Sequence, residues 1–167
     1  MNFKIPLQGA NLARWPRGNL TQGYSENAQL YQSLVGIKFH NGIDIAMPFR
    51  TPVLAAYDGT VYEAFHALKG YGKQVRIISG KVDGVYYDSV YGHLDEIIVK
   101  VGQRVKVGEQ LGFEGNTGFV VSEGTIVFWG NAPAQKGVHL HFGIRILTDA
   151  TEKSNIAIFG KNYIIKD

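Results

Sequence analysis

A chain of 167 residues, 45% hydrophobic and 19% charged, is sized for one globular domain with a real apolar core. It contains no cysteine, which excludes a disulfide framework and a thiolate zinc site, so any metal must be held by His, Asp or Glu. The formal charge of +3 is scattered rather than blocked and gives no footing for nucleic-acid binding, while no apolar run behind Met1 is long enough for a signal peptide or a membrane span.

Residues 1–24 mix Pro6, Gly9, Pro16, Gly18 and Gly23 with Phe3, Leu7, Trp15 and Tyr24, the pattern of an ordered but irregular segment laid over a core. Residues 26–35 read as the one short helix, with Ser25 as N-cap and Leu30 and Leu34 one turn apart. Segments 53–57 and 60–65 flank Asp58-Gly59, which predicts a tight hairpin because glycine accepts the positive φ of such turns. Segments 74–79 and 85–93 flank turn residues at 80–84 and predict a second hairpin. The echo Val99-Lys100-Val101-Gly102 and Val105-Lys106-Val107-Gly108 predicts two short strands broken by glycine turns. After it come an apolar run at 125–129, a loop at 131–137 and an apolar tail that adds a strand or covers an edge. Many short strands and 21 glycines argue an antiparallel all-β sheet, sandwich or barrel.

The chain is organised around His139-Leu140-His141-Phe142-Gly143-Ile144-Arg145-Ile146. Its alternation predicts a strand that packs Leu140, Phe142, Ile144 and Ile146 inward and projects His139 and His141 together from the other face. Paired imidazoles suit a metal or a proton-transfer site; surface histidines on an amphipathic strand give the same pattern. His40-Asn41-Gly42-Ile43-Asp44 sets an imidazole and a carboxylate four residues apart, with a glycine that lets the backbone bend so both aim at one point. Nitrogen and carboxylate oxygen both suit zinc, although Asp44 could equally accept a hydrogen bond from His40 or cap a turn. Tyr87, Ser89, Tyr91 and His93 share a strand face in this reading, and His93 falls where strand meets turn, a place from which residues address a cleft.

Together these motifs resemble the lysostaphin-type zinc metallopeptidases, which cut the peptide part of bacterial cell wall. The resemblance runs from about residue 20 to 146 and keeps the family's order. His40 to Asp44 comes first, then Thr51-Pro52-Val53, Asp58-Gly59-Thr60-Val61, Gly70-Tyr71-Gly72, Tyr91-Gly92-His93-Leu94, Gly115-Asn116-Thr117-Gly118 and His139-Leu140-His141-Phe142. It implies an all-β fold of the duplicated hybrid motif type, forming a single domain over 1–167 with packed extensions at 1–19 and 147–167. It implies a zinc endopeptidase in which His40, Asp44 and His141 bind the metal while His93 and His139 stand unligated beside the activated water, one taking its proton and the other steadying the oxyanion. Peptidoglycan peptide is the implied substrate, the cell envelope or exterior the implied place of action, reached as a phage lysin or by a non-standard route, and a monomer the implied state.

Three departures accompany the resemblance. Residues 119–138 insert between Thr117-Gly118 and His139 and predict a rim or hairpin beside the cleft. Phe49-Arg50 replaces an often small residue before Thr51, and Gly143 stands where the family often has glutamate. His66 matches no motif. Two other function classes fit parts of the chain: a non-catalytic relative that binds wall peptide or a partner, and a biotinyl or lipoyl carrier domain, echoed by the glycine-punctuated repeats. Lys69, between Leu68 and Gly70, lacks the methionine-flanked setting that a carrier lysine needs.

Overall fold

A computed structural model of the protein describes residues 3–122, 125–128 and 135–147. Its strands are β1 (Leu20–Gln22), β2 (Ile43–Ile45), β3 (Pro52–Leu54), β4 (Gly59–His66), β5 (Lys73–Ser79), β6 (Tyr86–Ile97), β7 (Arg104–Val105), β8 (Gln110–Glu114), β9 (Phe119–Ser122), β10 (Thr125–Phe128) and β11 (Leu140–Leu147), with one helix, α1 (Ala28–Val35). The main sheet is open, antiparallel and ordered β1-β2-β11-β6-β5-β4-β7, with β8 joining β6 and β3 joining β8. The all-β expectation holds.

β6 is the spine of the molecule. Its twelve residues pair with β11 and β5 over the first part and with β8 from Leu94 onward, so the sheet turns over and closes on a core of Ile45, Val53, Tyr57, Val75, Ile77, Tyr91, Leu111, Leu140 and Phe142. Burying such a set supplies the main drive to fold. Two tyrosines carry polar ends into this core and satisfy them there. Tyr57 donates to the carbonyls of Ile77 and Tyr87 at 3.0 and 3.1 Å, and Tyr91 Oη accepts the Ala56 N–H at 2.9 Å, as buried polar groups must. The irregular N-terminal segment adds Leu7 to the core and bridges Val53.

Several local expectations are corrected. The Asp58-Gly59 hairpin does not form: β3 pairs with β8, and β4 pairs with β5 and β7. Asp58 instead accepts the Val107 N–H at 2.8 Å and pairs with Lys106, and glycine is needed at 59 because a Cβ there would lie 2.5 Å from Ile77 Cγ2. The hairpin of β5 and β6 is present, and β6 runs four residues further than the pattern suggested. The helix begins at Ala28 with Asn27 at its N-cap position and no side-chain cap, while Ser25, at φ 65°, donates its N–H to the His40 carbonyl. Of the valine echo only Arg104–Val105 is a strand; Val101 lies exposed in a turn. On β11, Leu140 and Phe142 pack inward as expected, but Ile144 is 37% exposed because the core ends before it. The segments at 131–134 and 148–167 lie outside the described residues.

Candidate metal centre

β2 and β11 are neighbours, with Asp44 opposite His141 and Ile45 opposite Leu140. Alternation sends Ile45 and Leu140 into the core and Asp44 and His141 to the other face. His40, on the loop entering β2, turns its ring to the same point. His40 Nε2, Asp44 Oδ1 and His141 Nδ1 lie 3.0 Å from one another, and all three residues are buried.

The chemistry of this donor set fits a zinc ion. His40 Nδ1 donates to the Gly23 carbonyl at 2.8 Å, which fixes the tautomer and leaves the Nε2 lone pair facing inward. His40 Nε2 and His141 Nδ1 thus face each other and one carboxylate oxygen across a space that a small cation would bridge, with two nitrogens and an oxygen as zinc prefers. His141 Nε2 is buried without a hydrogen-bond partner among the described residues, packed on Gly42, where a Cβ would come within 2.6 Å of it. Gly42 therefore serves close approach rather than the backbone bend expected of it. Tyr31 of α1 stacks on the other ring, its centroid 5.2 Å from that of His40.

His93 and His139 flank this cluster with ring centroids 4.6 Å apart. His93 Nδ1 donates to the Thr117 carbonyl and His139 Nδ1 to the Gly137 carbonyl, both at 2.8 Å. Each ring is held by one nitrogen, which leaves Nε2 free of that carbonyl bond, and both residues line the cleft; His139 Nε2 lies 3.8 Å from Asp44 Oδ2. Strand alternation does not put His93 here. β5 advances from Lys73 to Val75 while β6 advances from Tyr91 to Leu94, a one-residue bulge, and His93 takes the left-handed φ of 63°. Bulges re-aim side chains beside active sites, and a non-glycine residue in this conformation marks a site held by its surroundings. Tyr91 stays in the core and His93 leaves its face.

The electrostatics divide the five groups. Burial works to raise the Asp44 carboxyl, but the imidazoles of His139, His141 and His40 outweigh it and hold the group well below the usual carboxylate range. Burial pushes His93 well down, helped by the neighbouring His139 and His141, and burial also lowers His141 against the pull of Asp44. His40 alone is raised: burial opposes its charge, and Asp44 with the Gly23 carbonyl overcomes that. Asp44 is thus an ionised carboxylate, and His93 and His141 are held toward their neutral, lone-pair-bearing form.

The cleft over these groups has a volume of about 450 Å³ and is walled by α1, by Tyr71 and by Phe119, Val120 and Val121 of β9. The insert pairs β9 with β10, so the expected rim hairpin is present where described. Tyr71 was quoted in the sequence only as part of a motif. Its ring leans on His141 at 4.9 Å and its hydroxyl is joined to the Asn41 side chain. The flanking Gly70 and Gly72, both at positive φ, were the available signal, since a Cβ at 72 would strike Thr117 at 2.4 Å. Arg50 lies off the cleft, over Phe113 and paired with Asp95 and Glu96. Gly143 has its would-be Cβ 3.0 Å from the Asn41 carbonyl. His66 sits at the exposed end of β4.

Residues 38–155 match the model of Peptidase family M23. Over 103 residues, 62% of this chain and 19% of the relative, the sequence is 37% identical to the peptidoglycan DD-endopeptidase ShyA of Vibrio cholerae. Among solved structures, a zinc containing peptidase from Vibrio cholerae superposes with a TM-score of 0.63 at 28% identity, covering 87% of this chain and 37% of that one. The catalytic domain of lysostaphin from Staphylococcus simulans gives 0.52 at 31% identity, covering 72% and 75%. The chain spans about a fifth to a third of the length of the curated relatives it matches.

Proposed function

Because the chain belongs to Peptidase family M23, we propose that it is a zinc endopeptidase that hydrolyses peptide bonds in peptidoglycan, with His40, Asp44 and His141 as metal ligands and His93 and His139 as catalytic residues. One observation carries the reading: three donor atoms from residues 101 positions apart in sequence meet at 3.0 Å, and two imidazoles anchored by backbone carbonyls stand beside them. When bound, zinc supplies Lewis acidity, polarising the scissile carbonyl and activating water near neutral pH. The two histidines divide the proton work. Since both Nδ1 atoms donate to carbonyls, both rings act through Nε2. The neutral ring accepts a proton from the attacking water there, and the ring that carries a proton donates to the oxyanion and later to the leaving amine. The competent state therefore holds one proton between His93 and His139.

The apolar walls contributed by β9 and α1 suit an extended peptide and limit water around the reacting groups. On this reading the protein acts as a monomer at the cell envelope or outside the cell. The test is digestion of purified walls by the zinc-loaded protein, with new amino termini identified by mass spectrometry. New termini are expected from the wild type, far more slowly from His139→Ala and not at all after chelation; undiminished release by the metal-free protein would reject the proposal.

A further inference from the structure

We propose that Glu114 is a positioning residue for the metal ligands, its carboxyl tying the chain just beyond Asp44 to the strand that carries His141 at the end of the seam between β2 and β11. This rests on the ligand assignment proposed above. Glu114 ends β8 and is wholly buried. Its Oε1 accepts the Met47 N–H at 3.1 Å, three residues past Asp44, and the Leu140 N–H, one residue before His141, acts on the same carboxyl. Asp44 and His141 are themselves opposed across that seam. Its backbone is held as well: the Glu114 N–H donates to Thr51 and its carbonyl accepts from Arg50, each at 2.9 Å.

The rest of the segment continues the arrangement. The Gly115 carbonyl accepts the His139 N–H at 3.2 Å, and the Thr117 carbonyl holds His93. Thr117 Oγ1 donates to Leu94 and accepts from Lys73. Residues 114–117 thus address both ligand strands and both flanking histidines.

Stability alone does not account for an acid here. Oε2 of Glu114 has no hydrogen-bond partner among the described residues, and a buried polar group so incompletely paired is destabilising relative to an apolar side chain of similar size. What the carboxyl contributes is placement. Zinc tolerates only a few tenths of an ångström in ligand position, and removing outer partners of ligands lowers metal affinity about 10- to 100-fold.

The experiment measures zinc affinity by chelator competition, together with the visible spectrum of the cobalt-substituted protein, for the full chain and four variants. Glu114→Gln keeps an acceptor oxygen in place and is expected to bind zinc as the wild type does. Glu114→Asp withdraws the oxygen by one methylene and Glu114→Leu removes it; both are expected to lose about 10- to 100-fold in affinity and to shift the cobalt bands. Leu111→Ala, in the core on the same strand, is expected to lower the melting temperature with zinc affinity unchanged. Asp and Leu variants that bind zinc as tightly as the wild type overturn the proposal. So does a Gln variant as impaired as Leu, or a Leu111→Ala variant with the same loss. Should Glu114→Leu not fold, the contrast between Asp and Gln decides. A wild type that binds no zinc would remove the ligand assignment as well, whereas a tight wild type with indifferent Glu114 variants removes only this inference.

Discussion

Two buried carboxyls, Asp44 and Glu114, stand at the seam between β2 and β11, and the protein treats them oppositely. Asp44 is buried among His40, His139 and His141 and is held ionised, well below the ordinary range. Glu114 is wholly buried; burial drives its carboxyl up to about 8, with the Met47 and Leu140 N–H groups only partly resisting. Desolvation pushes both the same way, so the difference lies in what surrounds them: imidazoles stabilise a negative charge where a cation would sit, and two amide dipoles do not suffice to ionise an acid in the core. Asp44 is placed to hold charge and Glu114 to hold shape.

The sharpest break in that comparison is Asp44→Asn, which removes the charge but keeps the shape. It is expected to abolish both zinc retention, read by metal analysis after dialysis, and wall hydrolysis, while Glu114→Gln, the same exchange at the other carboxyl, is expected to leave both near wild type at pH 7. The next largest effect falls on the flanking pair. His139→Ala and His93→Ala are each expected to lower kcat about 10²- to 10⁴-fold with zinc content unchanged, which steady-state kinetics and metal analysis would show.

A smaller effect separates the two acids by pH. Between the ordinary carboxyl value near 4.5 and the folded value of about 8, the folded state keeps the Glu114 proton that the unfolded chain has lost. Raising the pH through this window therefore destabilises the protein, and lowering it restores the loss. In urea unfolding with excess chelator, the wild type is expected to lose more stability than Glu114→Gln from pH 5 to 8. Asp88, pushed up to about 6 by burial, contributes the same sign in both proteins and cancels. The smallest effect is that of Tyr71→Phe, which removes the hydroxyl joined to Asn41. The loss expected is about 1 kcal/mol, visible as a modest drop in melting temperature with zinc affinity retained.

The contrast also marks what can be read from a linear pattern. Asp44 and His141 stood out as candidates because strand periodicity and short spacing are local: His40 and Asp44 are four residues apart, and His141 alternates with apolar neighbours that enter the core; their metal-binding role came only with the resemblance of the joined motifs. Glu114 carries no such signature. Its role depends on β8 lying against β6 near Leu94, a pairing between segments brought together only by the closing of the sheet. The Asp58-Gly59 turn failed for a related reason, since the Asp58 side chain found a partner at Val107, 49 residues away. His93 lines the cleft, yet both the strand-end and the strand-face arguments for it were wrong, because β6 runs on to Ile97 and a bulge reverses the alternation at that residue.

By itself the sequence pointed to an all-β architecture and the β5 and β6 hairpin, while the rim beside the cleft and the roles proposed for His40, Asp44, His93, His139 and His141 came with the family resemblance that its motifs carry. Periodicity and turn residues encode the strands and the hairpin within a few positions, whereas the site residues were singled out by the joint order of motifs far apart in the chain. Only the tertiary structure decided how those residues meet: the seam of β2 with β11, the left-handed His93, the carbonyls that fix both imidazoles, and the buried acid at that seam. Those features arise from hydrogen bonds and close approaches across long sequence separation, where each partner looks ordinary until the other is in place.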